Sequence, residues 1–281
     1  MVSKPQKSTH NFEKMVSQFD YDTGLPLQVE EADIESQEGV SIQDISFAGP
    51  GKERIDMYSV IPAGRGPFPA VVFVHPAPGD RSTFMEEAFS VARQGIASLL
   101  FDAPWSQGEA FGQILAEPEP AKEALIRVVI SLRRAVDFVA SSAEIDAQRL
   151  GYTGHSFGAQ VGGVLSGVEK RIKAFVLMAG TGSFTDAVTL NMPFLDEQAL
   201  ESYRQIMEPI EPVSYVAQAA PSALFFQFGQ NDSFYNREIF DKFAEAGSQP
   251  KLVKWYDTDH FFLNDDARKD RLKWLESQLL D

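Results

Sequence analysis

The chain has 281 residues, 44% of them hydrophobic, and a formal net charge of −15, enough apolar material for one large α/β core rather than two small ones. Its acidity argues against a nucleic-acid or anionic-membrane surface, because either needs clustered Lys and Arg to displace counterions. Cysteine is absent, which excludes disulfides, thiolate catalysis and cysteine-ligated metals, and His10, His75, His155 and His260 show no metal-ligand spacing. No cofactor and no metal are expected.

Residues 1–24 are polar and read as an arm preceding a single domain over 25–281. They carry no apolar segment of the secretory type and no run in the chain approaches a membrane span, so cytoplasmic residence is the expectation. From Leu27 to Ile61 the texture is extended. Val40 and Ile42 share one parity and Ile45 and Phe47 the other, which predicts antiparallel strands with a bulge where the parity switches. Beyond Pro69, the runs AVVFVH, IASLLF, RLGYT, KAFVLMA, SALFFQFG and KLVKWYD are continuously apolar, as strands buried on both faces must be. Between them lies a helical stripe of Ala121, Leu125, Val128, Val129, Leu132, Val136 and Val139, with Lys122, Arg127, Arg133, Arg134 and Asp137 facing away. Strands alternating with helices imply an α/β fold, a mostly parallel, doubly wound sheet of about eight strands with antiparallel strands at its N-terminal side. Residues 181–216, between two of these strands, are too many for a simple connection and read as a small cap-like insertion.

The run LGYTGHSFGAQVGG places Gly154, His155, Ser156, Phe157 and Gly158 as G-x-S-x-G between a short strand and a small-residue helix. A serine on such a tight turn is pushed out of the sheet, and its neighbours two positions away must be nearly free of side chain. The helix that starts beside it supplies free N–H groups where negative charge develops.

In parallel sheets the reactive groups gather just past the strands' carboxyl ends. Four further candidates stand there: His75, Asp102, Asp232 and His260. A serine hydroxyl needs an imidazole to take its proton, and the imidazole needs a carboxylate to fix its tautomer. Asp232 and His260 suit those roles. Asp257 and Asp259 are too near His260 in sequence to serve it, His155 should point away from Ser156, and His75 precedes the serine. For the second oxyanion donor beside the Phe157 amide, Pro76 and Pro78 have no N–H. Ala77 is therefore preferred, with Gly79 second.

Together VVFVHPAPG, IDAQRLGYTGHSFGAQ, FQFGQNDSF and TDHFF, in this order, resemble the α/β-hydrolase superfamily. Within it the likeness is to dienelactone-hydrolase-like and prolyl-oligopeptidase-like serine hydrolases, from about Leu27 to the C-terminus. The resemblance implies a nucleophile at Ser156, an acid at Asp232 and a base at His260. Two features depart from the pattern: a Pro-Ala-Pro loop stands where a glycine often follows the histidine, and Ser156 replaces the cysteine of dienelactone hydrolases proper, so their lactone chemistry does not carry over. The expected activity is that of a carboxylesterase forming an acyl-enzyme on Ser156. A peptidase or amidase of the same fold is the alternative within enzymes, and a binding protein that keeps the fold without catalysis is the alternative outside them. Trp105 and Phe111, with Met192, Phe194, Leu195 and Met207 from the insertion, either line an acyl pocket or pack the insertion onto the sheet. A small acyl substrate is the expected partner, and a homodimer the expected assembly.

Overall fold

The computed structural model describes residues 6–37, 39–190 and 195–280. The chain begins with helix α1 (Gln6–Val16) and then three antiparallel strands, β1 (Glu30–Gln37), β2 (Val40–Ala48) and β3 (Arg54–Ile61). Next come β4 (Phe68–Val74), α2 (Met85–Ala92), β5 (Ala97–Phe101), α3 (Glu109–Leu115) and α4 (Pro118–Ser141). They are followed by β6 (Ile145–His155), α5 (Phe157–Val168) and β7 (Ile172–Met178). Helices α6 (Phe184–Leu190), α7 (Glu197–Met207) and α8 (Pro212–Val216) separate β7 from β8 (Ala223–Gly229). The chain closes through α9 (Arg237–Ala246), β9 (Lys251–Tyr256) and α10 (Asp265–Leu279).

All the strands join one sheet in the order β1-β2-β3-β5-β4-β6-β7-β8-β9. It is parallel from β5 through β9 and antiparallel where β3 meets β5. Among the described residues the sheet has 9 strands, one beyond the eight or so expected. The additional one, β1, reads EEADIESQ and offers no apolar run to announce it; its partner β2 holds it in place. Two apolar layers cover the sheet. On one face α2 and α10 contribute Ala88, Val91, Leu275 and Leu279, and on the other α4, α5 and α9 contribute Leu125, Val161 and Phe243. The chain leaves β4 outward to β5 and returns across it to β6, so the loops after β4 and β6 diverge. A crevice at the carboxyl ends of the strands follows from that reversal.

Two readings of the sequence are corrected. The parity switch in β2 is not a bulge, because β2 pairs with β3 without interruption from Ser41 to Ala48. Val40 packs into one layer while Ile45 and Phe47 pack into the other, so an unbroken strand buries apolar groups on both faces in turn. The irregularity lies instead in β1, between Asp33 and Glu35. Arg134 does not face solvent: it is 1% exposed, and its guanidinium donates to the carbonyls of Ala48 (2.7 Å) and Pro26 (3.2 Å). A buried charge is tolerable when such acceptors surround it, and here it ties α4 to the segment before β1 and to the end of β2.

The polar N-terminal residues do more than precede the domain. In α1 Phe12 sets its ring 5.5 Å from that of Tyr215 on α8, and just beyond it Phe19 meets the same ring edge-on at 5.6 Å. The Tyr215 hydroxyl donates to Pro209 O at 2.7 Å. The arm therefore packs against the segment that follows α7.

Candidate active site

Strand β6 ends at His155 and helix α5 starts at Phe157, so Ser156 alone makes the turn, with φ 53° and ψ −113°. A non-glycine residue at such a φ is held there by its surroundings. The Ser156 N–H donates to Met178 O on β7 (2.7 Å), and the Ser156 carbonyl accepts from Gln160 N (3.1 Å). Both flanking glycines are required sterically. A Cβ on Gly154 would lie 2.5 Å from the carbonyl of Gly158, and one on Gly158 would overlap the Val74 carbonyl. As the first residue of α5, Phe157 presents an N–H with no acceptor inside its helix, next to the serine.

Asp232 lies in the loop after β8 and His260 in the loop after β9. The two loops are laced together, Gln230 N donating to Tyr256 O (2.8 Å) and Asn231 N to Thr258 O (3.0 Å). His260 then bridges the other two side chains, with Nδ1 2.7 Å from Asp232 Oδ2 and Nε2 2.8 Å from Ser156 Oγ. With Nδ1–H donated to a carboxylate, Nε2 is left as an acceptor for the serine hydroxyl. The other oxygen of Asp232 accepts the N–H groups of Phe234 (2.8 Å) and Tyr235 (3.0 Å), so the carboxylate's orientation is set on both sides. Its side chain is 1% exposed.

The remaining sequence candidates have other places. His75 is buried; its Nε2 accepts the Ala103 N–H (3.0 Å), which leaves Nδ1 to donate to Pro76 O (2.9 Å). Asp102 Oδ1 stands 3.6 Å from that ring. His75 is thus a brace between the loops after β4 and β5. Trp105 Nε1 donates to the His75 carbonyl at 3.2 Å, and the indole sits edge-on to Phe157 at 4.9 Å. Phe111 (6.4 Å) and Phe184 (5.7 Å) complete an aromatic cluster around Phe157. Ala77 is exposed in the loop after β4, whereas Met207 is wholly buried in the main core and packs the insertion instead of lining a pocket. Met192 and Phe194 lie outside the described residues. Among the described residues no helix is long and apolar enough to cross a membrane, and no group of three or more His, Asp or Glu side chains is arranged to hold a metal.

Residues 55–276 match the model of the dienelactone hydrolase family. The chain belongs to that family. No curated protein sequence matches it significantly, but solved structures do resemble it. An acetyl xylan esterase from Paenibacillus sp. R4 superimposes with a TM-score of 0.79 at 17% identity, over 99% of this chain and 96% of that one. Acetyl xylan esterase 1 from Thermoanaerobacterium sp. JW/SL YS485 gives 0.78 at 14% identity, over 96% and 94%. A glucuronoyl esterase from Solibacter usitatus gives 0.70 at 12%, over 99% and 94%. At these identities the likeness is one of fold, the α/β-hydrolase fold. This member of the dienelactone hydrolase family carries serine at the elbow.

Three neighbours of the site have roles that the sequence reading did not assign. Phe234, nearly half exposed, places its ring 4.5 Å from that of His260, and Tyr235 stands 5.9 Å from it on the same loop. Their position two and three residues after Asp232 was the available signal. The third is His155, whose Nε2 lies 2.7 Å from the His260 carbonyl oxygen. Burial pushes its pKa down to about 4.

Proposed function

We propose that the protein is a serine ester hydrolase acting on small carboxylic esters, with Ser156 as nucleophile, His260 as general base and then acid, and Asp232 as the carboxylate that orients it. The observation that carries this reading is the unbroken hydrogen-bonded chain Asp232–His260–Ser156, at 2.7 and 2.8 Å, with its serine on the strained turn. His260 Nε2 takes the hydroxyl proton as Oγ attacks the ester carbon. The tetrahedral oxyanion is met by the Phe157 amide and, from the loop after β4, by that of Ala77. The same ring returns its proton to the leaving alcohol, and a water deprotonated by it releases the acid from the acyl-enzyme.

The ring cluster of Trp105, Phe111, Phe157 and Phe184 is almost wholly buried, which favours a short acyl group at Ser156. The acetyl xylan esterases and glucuronoyl esterase among its structural neighbours support ester rather than peptide substrates. The test is a panel of p-nitrophenyl esters from acetate to octanoate, together with fluorophosphonate labelling. Acetate is expected to turn over fastest, the probe to add once at Ser156, and Ser156→Ala to lose roughly 10⁴-fold in kcat. Equal turnover by Ser156→Ala, or labelling at another residue, excludes the mechanism.

A further inference from the structure

Of the three linked side chains, Ser156 is fastened most firmly to the sheet, through its N–H on β7. His260 is carried differently. It sits on the segment 257–264, which Phe262 (6% exposed) anchors in the core layer beside α10, while its neighbours Phe261 and Leu263 are 63% and 91% exposed. Several short-range bonds shape the segment: Phe261 N donates to Asp259 Oδ1 (3.0 Å) and Asn264 N to Phe262 O (2.9 Å). These bonds define the turn, while Asn231 N on Thr258 O and the buried Phe262 hold its two flanks, on either side of His260. The carbonyl of His260 itself accepts from Nε2 of His155, at 2.7 Å.

We infer that His155 is a positioning residue for the proposed base: its Nε2–H pins the His260 carbonyl to the end of β6, so that the imidazole is held between Ser156 and Asp232. The inference rests on the role assigned to His260 above. Successive side chains of a strand point to opposite faces, so His155 is directed away from Ser156 and reaches the loop from behind. The nucleophile and the tether of its base thus come from adjacent residues, and their spacing is set by one strand. A histidine suits the place because it carries a donor across about the length of its ring while filling a buried site, 5.6 Å from the His260 ring and 6.1 Å from Phe262. Burial keeps His155 neutral at pH 7. It therefore adds no positive charge against the imidazolium that His260 becomes during acylation.

The experiment compares His155→Gln with His155→Met in the full chain. Both replacements are unbranched and similar in length, and only Gln ends in an N–H donor. His155→Met is expected to lower kcat on p-nitrophenyl acetate and the rate of Ser156 phosphonylation by about 10- to 100-fold, since a small misplacement of a reacting group has that effect. KM should stay unchanged, and His155→Gln should remain within a few-fold of wild type. The spectroscopic readout is the downfield Nδ1 proton of His260, identified by its loss in His260→Ala. In the Ser156→Ala background it should be sharp with His155 in place or with His155→Gln, and broadened with His155→Met, whether or not Ser156 is the nucleophile. If Met impairs folding, shown by Tm, His155→Phe is read in its place. An unchanged downfield proton and unchanged kcat in the donor-free variants overturn the positioning role and leave the hydrolase reading standing. A wild type that is never labelled at Ser156 removes that reading, and this inference with it.

Discussion

Replacing Asp232 with Asn tests the proposed mechanism most sharply, because the structure dictates how the new side chain must sit. One carboxylate oxygen accepts two backbone N–H groups, from Phe234 and Tyr235. The amide of Asn is obliged to turn its single oxygen to those donors and its NH2 group toward Nδ1 of His260. Two donors cannot face each other across 2.7 Å, so the imidazole shifts its proton to Nε2. That proton then faces Ser156 Oγ, and the ring has no lone pair left to accept from the hydroxyl. Losing the base in this way costs about 10⁴-fold in kcat, or about 5 kcal/mol of transition-state stabilisation. Shape and burial are nearly unchanged by the substitution, so Tm should move little. The assay is kcat on p-nitrophenyl acetate for wild type, Asp232→Asn and Ser156→Ala, with Tm recorded for each. If Asp232→Asn keeps more than a tenth of the wild-type rate while Ser156→Ala is inactive, the tautomer argument is wrong and another group orients the base.

Two further outcomes are expected. Gly158→Ala directs a Cβ into the carbonyl of Val74 and to 3.0 Å from that of His75. Neither is a flexible side chain, so α5 must move off β4, with a loss of more than about 2 kcal/mol in denaturant unfolding and displacement of the Phe157 amide. A variant as stable and as active as wild type would show that the elbow has more room than these contacts allow. The second outcome concerns pH. His155 is pushed from an ordinary 6.5 to about 4, chiefly by burial; the charges of His260 and Arg271 act in the same direction, while the His260 carbonyl and Asp232 oppose it. Because the fold favours the neutral ring, its contribution is complete above pH 6.5 and disappears as pH falls from there toward 4. A drop of that size corresponds to about 3 kcal/mol. Between pH 7 and 4.5, wild type should therefore lose roughly 2–3 kcal/mol more than His155→Gln, in which the titrating group is gone. Parallel stability curves for the two proteins would exclude that account.

Much of this protein is legible in one dimension. Apolar runs marked β4 through β9; through β8 this is because a strand covered on both sides has no polar face to show, whereas β9, read in the same way, is an edge strand with Leu252 and Val253 exposed. The glycines at 154 and 158 and the order Ser156, Asp232, His260 pointed to an elbow and its two partners, since backbone crowding and strand-end placement leave traces in residue type and spacing. Contacts between distant segments leave no such trace. The acidic strand β1 depends on β2 for its place, Arg134 is buried because carbonyls from two distant segments converge on it, and the parity switch in β2 records two layers rather than a bulge. The meeting of Asp232, His260 and Ser156 within 2.8 Å, and the reach of His155 to a carbonyl 105 residues away, were decided by tertiary structure. Hydrogen bonds act over about 3 Å, and only the packed sheet and its laced loops bring those atoms so close.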